Sequence, residues 1–250
     1  MSLTNGNAVF WQLCTNHGVN PADLLAESAQ WVDPRVFKAL PVAFPHAARG
    51  LPAFNANWEA TERKETNKLA NLALYKALGE TRLNDRSWTV CHLWDCIVDQ
   101  KNVVVTDRRF YTCLANMVLL PTPLKALTDS VPEIKRVLRF RSYQIFGWCC
   151  DYTNPIVQAE ANEIANMSVN NQFPAHWPVA WRAAPAVPAG PISQVVHDWV
   201  ASSKNTATRL CQAPPGNYPA NEVRQVLRYW HQKANILDQE FVTFAQGLIG

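Results

Sequence analysis

Between Trp88 and Trp148 the sequence gathers residue types that can do chemistry. His92 stands near the end of a β-favouring run, Trp88 to Trp94, directly after Cys91. An imidazole has an unperturbed pKa of about 6.5 and takes a proton from water near neutral pH, so His92 is a candidate general base. The alternative is a half-buried structural histidine held between Cys91 and Leu93. Lys125 and Asp129 lie four apart, which puts both on one face of the helix expected there. A further helix, expected over Pro132 to Phe146, carries Lys135, Arg136, Arg139 and Arg141. Its inner stripe is Ile134, Val137, Leu138 and Ile145, which predicts an outward basic band suited to phosphates. From Arg82 to Arg141 ten Lys/Arg oppose six Asp/Glu, in a chain whose formal net charge is +3. A nucleic acid would use that excess, and an ordinary solvated helix face would produce it too.

The elements expected to position these groups are a first strand at Trp88–Trp94, a polar turn through Asp99, Gln100, Lys101 and Asn102, and a second strand at Val103–Thr106. Helical spacing is then read from the Asn116–Pro121 segment onward. Strand, turn, strand and helix, with Cys91-His92-Leu93-Trp94 followed by Asn116-Met117-Val118-Leu119-Leu120-Pro121, resembles the HNH (ββα-metal) nucleases. The ending Phe146-Gly147-Trp148 is similar to the same family segment, and the resemblance covers about a quarter of the chain. It implies that His92 is the general base and that Asn116 braces the loop and orients the histidine. It puts Cys91 and Lys125 at the positions of the metal ligands. Cys91 is a soft ligand where magnesium prefers a carboxylate, and a protonated Lys125 cannot ligate. Asp129, one turn beyond Lys125, is therefore the replacement oxygen ligand, with Asp95 and Asp107 as outside candidates. Alternatively Asp129 or Ser130 caps the helix that begins at Pro132.

Two functions follow from the resemblance. The first is a magnesium- or manganese-dependent endonuclease that hydrolyses DNA (or RNA) in restriction or phage defence, with Lys125, Lys135, Arg136, Arg139 and Arg141 on the nucleic acid. The second is a nucleic-acid-binding or interaction protein that keeps the scaffold and has lost the metal. Structural zinc is not expected, because no pair of close cysteine doublets occurs and buried free thiols are the default.

The fold expected around this unit is α+β and mainly helical. An N-terminal helical region spans 1–87, the ββα module with its basic helix 88–148, and a C-terminal helical region with a Pro-rich connection 149–250. Asn20-Pro21 and Asp33-Pro34 read as helix starts, with Leu24, Leu25, Ala29 and Val32 at helical spacing. The strongest helical pattern covers residues 55–79 and ends at Gly79, with Arg63, Thr66, Asn67, Lys68 and Asn71 on it as amide and basic groups. His46 and Arg49 fall in a proline-containing loop, where a lone histidine is usually a surface residue. Helices are expected over Pro155–Met167, Ile192–Ser203 and Pro219–Gly247, with His231 in the last. The passage Phe173–Pro191 should wrap the domain, because Trp177, Val179 and Trp181 suit a free linker poorly.

With 48% hydrophobic and 17% charged residues, the composition is that of a globular chain. No apolar run is long enough for a membrane span, and no basic segment precedes an apolar N-terminal run as in a signal peptide. Seven cysteines, an odd number, suit a reducing interior, so a soluble cytoplasmic protein is expected.

Overall fold

Capping chemistry sets the first helices where the sequence puts them. The computed structural model describes residues 6–45, 68–80, 87–95, 104–170, 173–174, 177–186, 188–212 and 220–250. Helix α1 spans Gly6–Asn16, α2 Pro21–Ser28 and α3 Pro34–Ala39. Asn20 Oδ1 accepts from the Ala22 amide at 3.0 Å and Asp33 Oδ1 from the Arg35 amide at 2.8 Å, each followed by a proline whose missing N–H costs nothing there. Leu25, Val32, Val36, Phe37 and Leu40 are buried, whereas Leu24 faces outward. Helix α4 is Lys68–Ala77, and Gly79 follows it at φ +78°, a conformation that glycine adopts without strain. Residues 55–67 of the expected helix, together with His46, Arg49, Cys96 and the turn at 99–102, lie outside the described residues.

The hairpin departs from expectation in an instructive way. Strand β1, Trp88–His92, pairs antiparallel with β2, Met117–Pro121, in the register Trp88↔Pro121, Val90↔Leu119 and His92↔Met117. The partner strand is therefore the segment expected to start a helix. Val104–Thr106, the described part of the second strand expected over Val103–Thr106, is instead a 3-10 turn. Met117 to Leu120 are all buried, and a strand covered on both faces reads as an unbroken apolar run that periodicity cannot separate from a helix. Pro121 biases Leu120 toward the extended region, which decides the matter locally. Among the described residues, the other edge of β2 is met by one backbone bridge, Gln30↔Leu119.

Helices α5, Thr122–Ser130, and α6, Pro132–Phe146, follow with only Val131 between them. The N-cap position of α6 falls on Val131, whose side chain gives no cap, rather than on Asp129 or Ser130. Gly147, at φ +66°, closes α6 through its amide on the Tyr143 carbonyl at 2.8 Å. Helix α7 is Pro155–Asn170, and α8, Gln194–Cys211, runs two turns beyond its expected end. The expected last helix is two, α9 (Ala220–His231) and α10 (Gln239–Ile249), joined through a 3-10 turn at Ala234–Ile236. Breaking there lets Phe241 and Ala245 bury alongside the apolar stripe of α9, Val223, Val226, Leu227 and Trp230. Between α7 and α8, Trp177 and Trp181 are buried as expected, while Val179 is exposed.

The described chain is thus mainly helical, with one two-stranded antiparallel sheet. Residues from all three expected regions share a single buried cluster. Its aromatic centre joins α3, the hairpin loop, the end of α6 and α9: Trp230 lies 5.8 Å from both Phe37 and Trp148, and Phe110 5.6 Å from Tyr229. Such tilted and edge-on ring contacts add to the gain from burial alone. Cys14, Cys91, Cys113, Cys149, Cys150 and Cys211 are free thiols. Among the described residues no helix is long and apolar enough to cross a membrane.

Candidate functional site around His92 and Asn116

Asn116 ties the hairpin together. It is fully buried, and its Oδ1 accepts from the Trp94 amide at 2.7 Å. Its Nδ2 donates to the carbonyls of Trp94 at 3.1 Å and Phe110 at 3.2 Å, while its own carbonyl accepts from the Leu93 amide at 2.9 Å. One amide side chain therefore joins the exit from β1 to the loop that returns toward β2. Every polar atom of that side chain is partnered, as a buried amide requires.

His92 ends β1 with 6% of its surface exposed. Its Nε2 lies 3.0 Å from the Tyr111 carbonyl, and since a carbonyl only accepts, Nε2 carries the proton. Burial lowers the imidazole pKa, against a smaller raising effect of that hydrogen bond, so the ring is neutral near pH 7. The Tyr111 ring stacks on it with centroids 6.4 Å apart.

The groups beside this histidine are ammonium ions and the carboxylates they hold. Lys135, whose side chain is only 8% exposed, places Nζ 2.8 and 2.9 Å from the two oxygens of Asp95 and 4.0 Å from Asp129. Lys125 Nζ lies 2.5 and 2.6 Å from the Asp129 carboxylate. Cys91 is buried, its Sγ 3.4 Å from Thr128 Oγ1, and burial pushes the thiol pKa up, so it stays protonated. Thr128 in turn donates to the Lys125 carbonyl at 2.7 Å. Asp107 is occupied elsewhere, accepting from the Arg109 amide, Nε and Nη2 at 2.6 to 3.0 Å.

These residues do not fit a hard divalent cation. Magnesium or manganese needs several oxygens free to turn toward it, and prefers carboxylates. Here the thiol is neutral, and Asp95 and Asp129 each face an ammonium group that a dication would have to displace or repel. Among the described residues no cluster of three or more His, Cys, Asp or Glu side chains could hold a metal ion.

The basic helix is also turned inward, contrary to the outward band expected from its pattern. Lys135 and Arg139 are buried. Arg139 donates from Nε to the Leu93 carbonyl at 2.8 Å, grips Glu160 at 2.6 Å, and lies 4.6 Å over the Trp94 ring. Arg136 pairs with Glu163. Arg141 donates to Gln144 Oε1 at 2.9 Å and to the Ala183 carbonyl at 3.2 Å, beside the Trp181 ring. The reason is that α6 is covered by the hairpin, by α7 and by residues 177–186, so its cations meet partners on those elements.

Several participants were not singled out in the sequence: the Tyr111 carbonyl, Thr128, Glu160 and Glu163. The two glutamates had a readable signal. Their spacing of three matches that of Arg136 and Arg139, as two antiparallel helices with facing charges require. No protein-family model, no curated protein and no solved structure matches the chain.

Proposed function

We propose that this chain is a nucleic-acid-binding protein on an HNH-like scaffold whose hydrolytic centre has been given over to internal salt bridges. One observation carries the reading. Lys135 on Asp95 and Lys125 on Asp129 stand beside Cys91 and His92, where the resemblance calls for a cation. An ammonium group supplies positive charge but no open coordination position, so it cannot generate a bound hydroxide as a metal does. His92 is then a polar anchor for the loop through Tyr111, and Asn116 its brace. Because Lys135 and Arg139 are buried against their partners, contact with phosphates would fall on cations that keep more exposure.

A second reading, the metal-dependent endonuclease, draws on a separate observation. His92 is a neutral imidazole with one nitrogen fixed on a carbonyl, a protonation state suited to a general base. Incubating plasmid DNA with the protein in magnesium, manganese or EDTA separates the two, alongside a gel-shift assay in EDTA. The binding reading expects a shift in EDTA and no nicking in any condition. Metal-dependent nicking that disappears in His92→Ala would establish the nuclease instead, and a protein that neither shifts nor nicks would point to a protein partner.

A further inference from the structure

The turn that follows Val104–Thr106 carries two arginines, Arg108 and Arg109. They help line a cavity of about 350 Å³ together with Asp107, Tyr152, Glu222 and Gln225. Arg109 is locked: its fork rests on Asp107, and its guanidinium lies 4.7 Å from the Phe110 ring centroid and 5.1 Å from that of Tyr229. Stacking and a bidentate partner fix its orientation before any ligand arrives, which lowers the entropy lost on binding. Arg108 is half-buried at the same cavity, with Glu222 and Asp107 as the neighbouring charges. Tyr152, half-buried, sets its ring edge-on to Phe110 at 6.4 Å and gives the cavity an aromatic wall, and Gln225 adds an exposed amide.

We propose that this cavity binds a phosphate-bearing nucleotide, with Arg108 and Arg109 on the phosphate and Tyr152 and Gln225 at the base. Guanidinium groups match phosphate oxygens in geometry, an aromatic side chain serves as a stacking surface for any base, and an amide can read a base edge. The volume lies in the range of small-ligand sites. Two guanidinium groups and two carboxylates, Asp107 and Glu222, share this cavity, so Glu222 competes with a phosphate for Arg108. The location matters as well. The carbonyls of Phe110 and Tyr111, in the same turn, hold Asn116 and His92, so an occupied cavity braces the segment on which the hairpin depends.

This inference rests on the nucleic-acid reading above, and the same experiment can separate the two. The full chain is titrated calorimetrically with adenosine 5′-monophosphate, with adenosine, and with a single-stranded oligonucleotide bearing a 5′-phosphate. Adenosine should bind at least about tenfold more weakly than its monophosphate, the usual effect of losing a charged hydrogen-bond partner. Arg108→Gln should weaken the monophosphate by a similar factor. Glu222→Gln, which removes the competing carboxylate and keeps the shape, should tighten it several-fold. Thermal unfolding of both variants checks that they are folded, and the opposite signs expected guard against a general loss of structure. Absent monophosphate binding, or binding unmoved by both substitutions, overturns the site. If the oligonucleotide still binds in that case, and Arg108→Gln does not weaken it, the nucleic-acid reading survives without this cavity. Monophosphate binding with no oligonucleotide binding keeps the site, as one for free nucleotides, and removes the reading.

Discussion

Replacing Lys135 with methionine tests whether an ammonium group is what holds the polar cluster together. Lys135 Nζ contacts both oxygens of Asp95, at 2.8 and 2.9 Å, from a side chain 8% exposed, while Asp95 keeps 21% of its own exposure. Removing one partner of a buried ion pair strands the other charge at a cost of about 3–5 kcal/mol. Water can reach Asp95 in part, so roughly 2–3 kcal/mol is expected for Lys135→Met. For a chain of this size that corresponds to a fall in Tm of roughly 5–10 °C, read by calorimetry or urea unfolding. The double variant Lys135→Met with Asp95→Asn should recover at least half of the loss, because no charge is then left without its partner. The reasoning fails if Lys135→Met costs less than about 0.5 kcal/mol, within the range of ordinary surface substitutions. It fails equally if the double variant is no more stable than the single one.

Other expectations are narrower. Asn116→Ala leaves the Trp94 amide and the carbonyls of Trp94 and Phe110 without their side-chain partner, and should cost roughly 3 kcal/mol in urea unfolding. His92 has a folded pKa below its unfolded value, so its contribution is fully present above about pH 6.5 and is lost as pH falls below that. His92→Gln should therefore flatten the fall in stability between pH 7 and pH 5 relative to the unsubstituted chain, and parallel curves would refute the assignment. Gly147→Ala should cost about 1 kcal/mol through its positive φ alone, since the added methyl would meet only ordinary contact, Ile236 at 3.5 Å.

The sequence carried its local chemistry well and its long-range pairing poorly. The caps at Asn20 and Asp33 and the full extent of α6 follow from side chains within a few residues, and they were legible. The polar neighbours of His92 were not. Lys135 and Asp95 are forty positions apart, and nothing local distinguishes an inward lysine from an outward one. The second strand was misplaced for the same reason. Val104 and Val105 look like strand residues, yet they pack in a 3-10 turn, while the pairing of Met117–Pro121 with β1 is decided by what covers both faces. The break between α9 and α10 has no glycine or proline to announce it, and only the burial of each helix against the other explains it.

The bridge between Gln30 and Leu119 has a consequence for how the chain behaves when cut. Both of its backbone hydrogen bonds, 2.9 and 3.1 Å, fall on the outer edge of β2, whose residues Met117 to Leu120 are apolar and carry no charge. An uncovered edge of that composition is a template for strands of other molecules. Residues near the N-terminus thus act as a guard on a strand far along the sequence. A chain shortened past Gln30 would lose that guard, and it would tend to associate with its own copies through Met117–Leu120 even if its helices still formed.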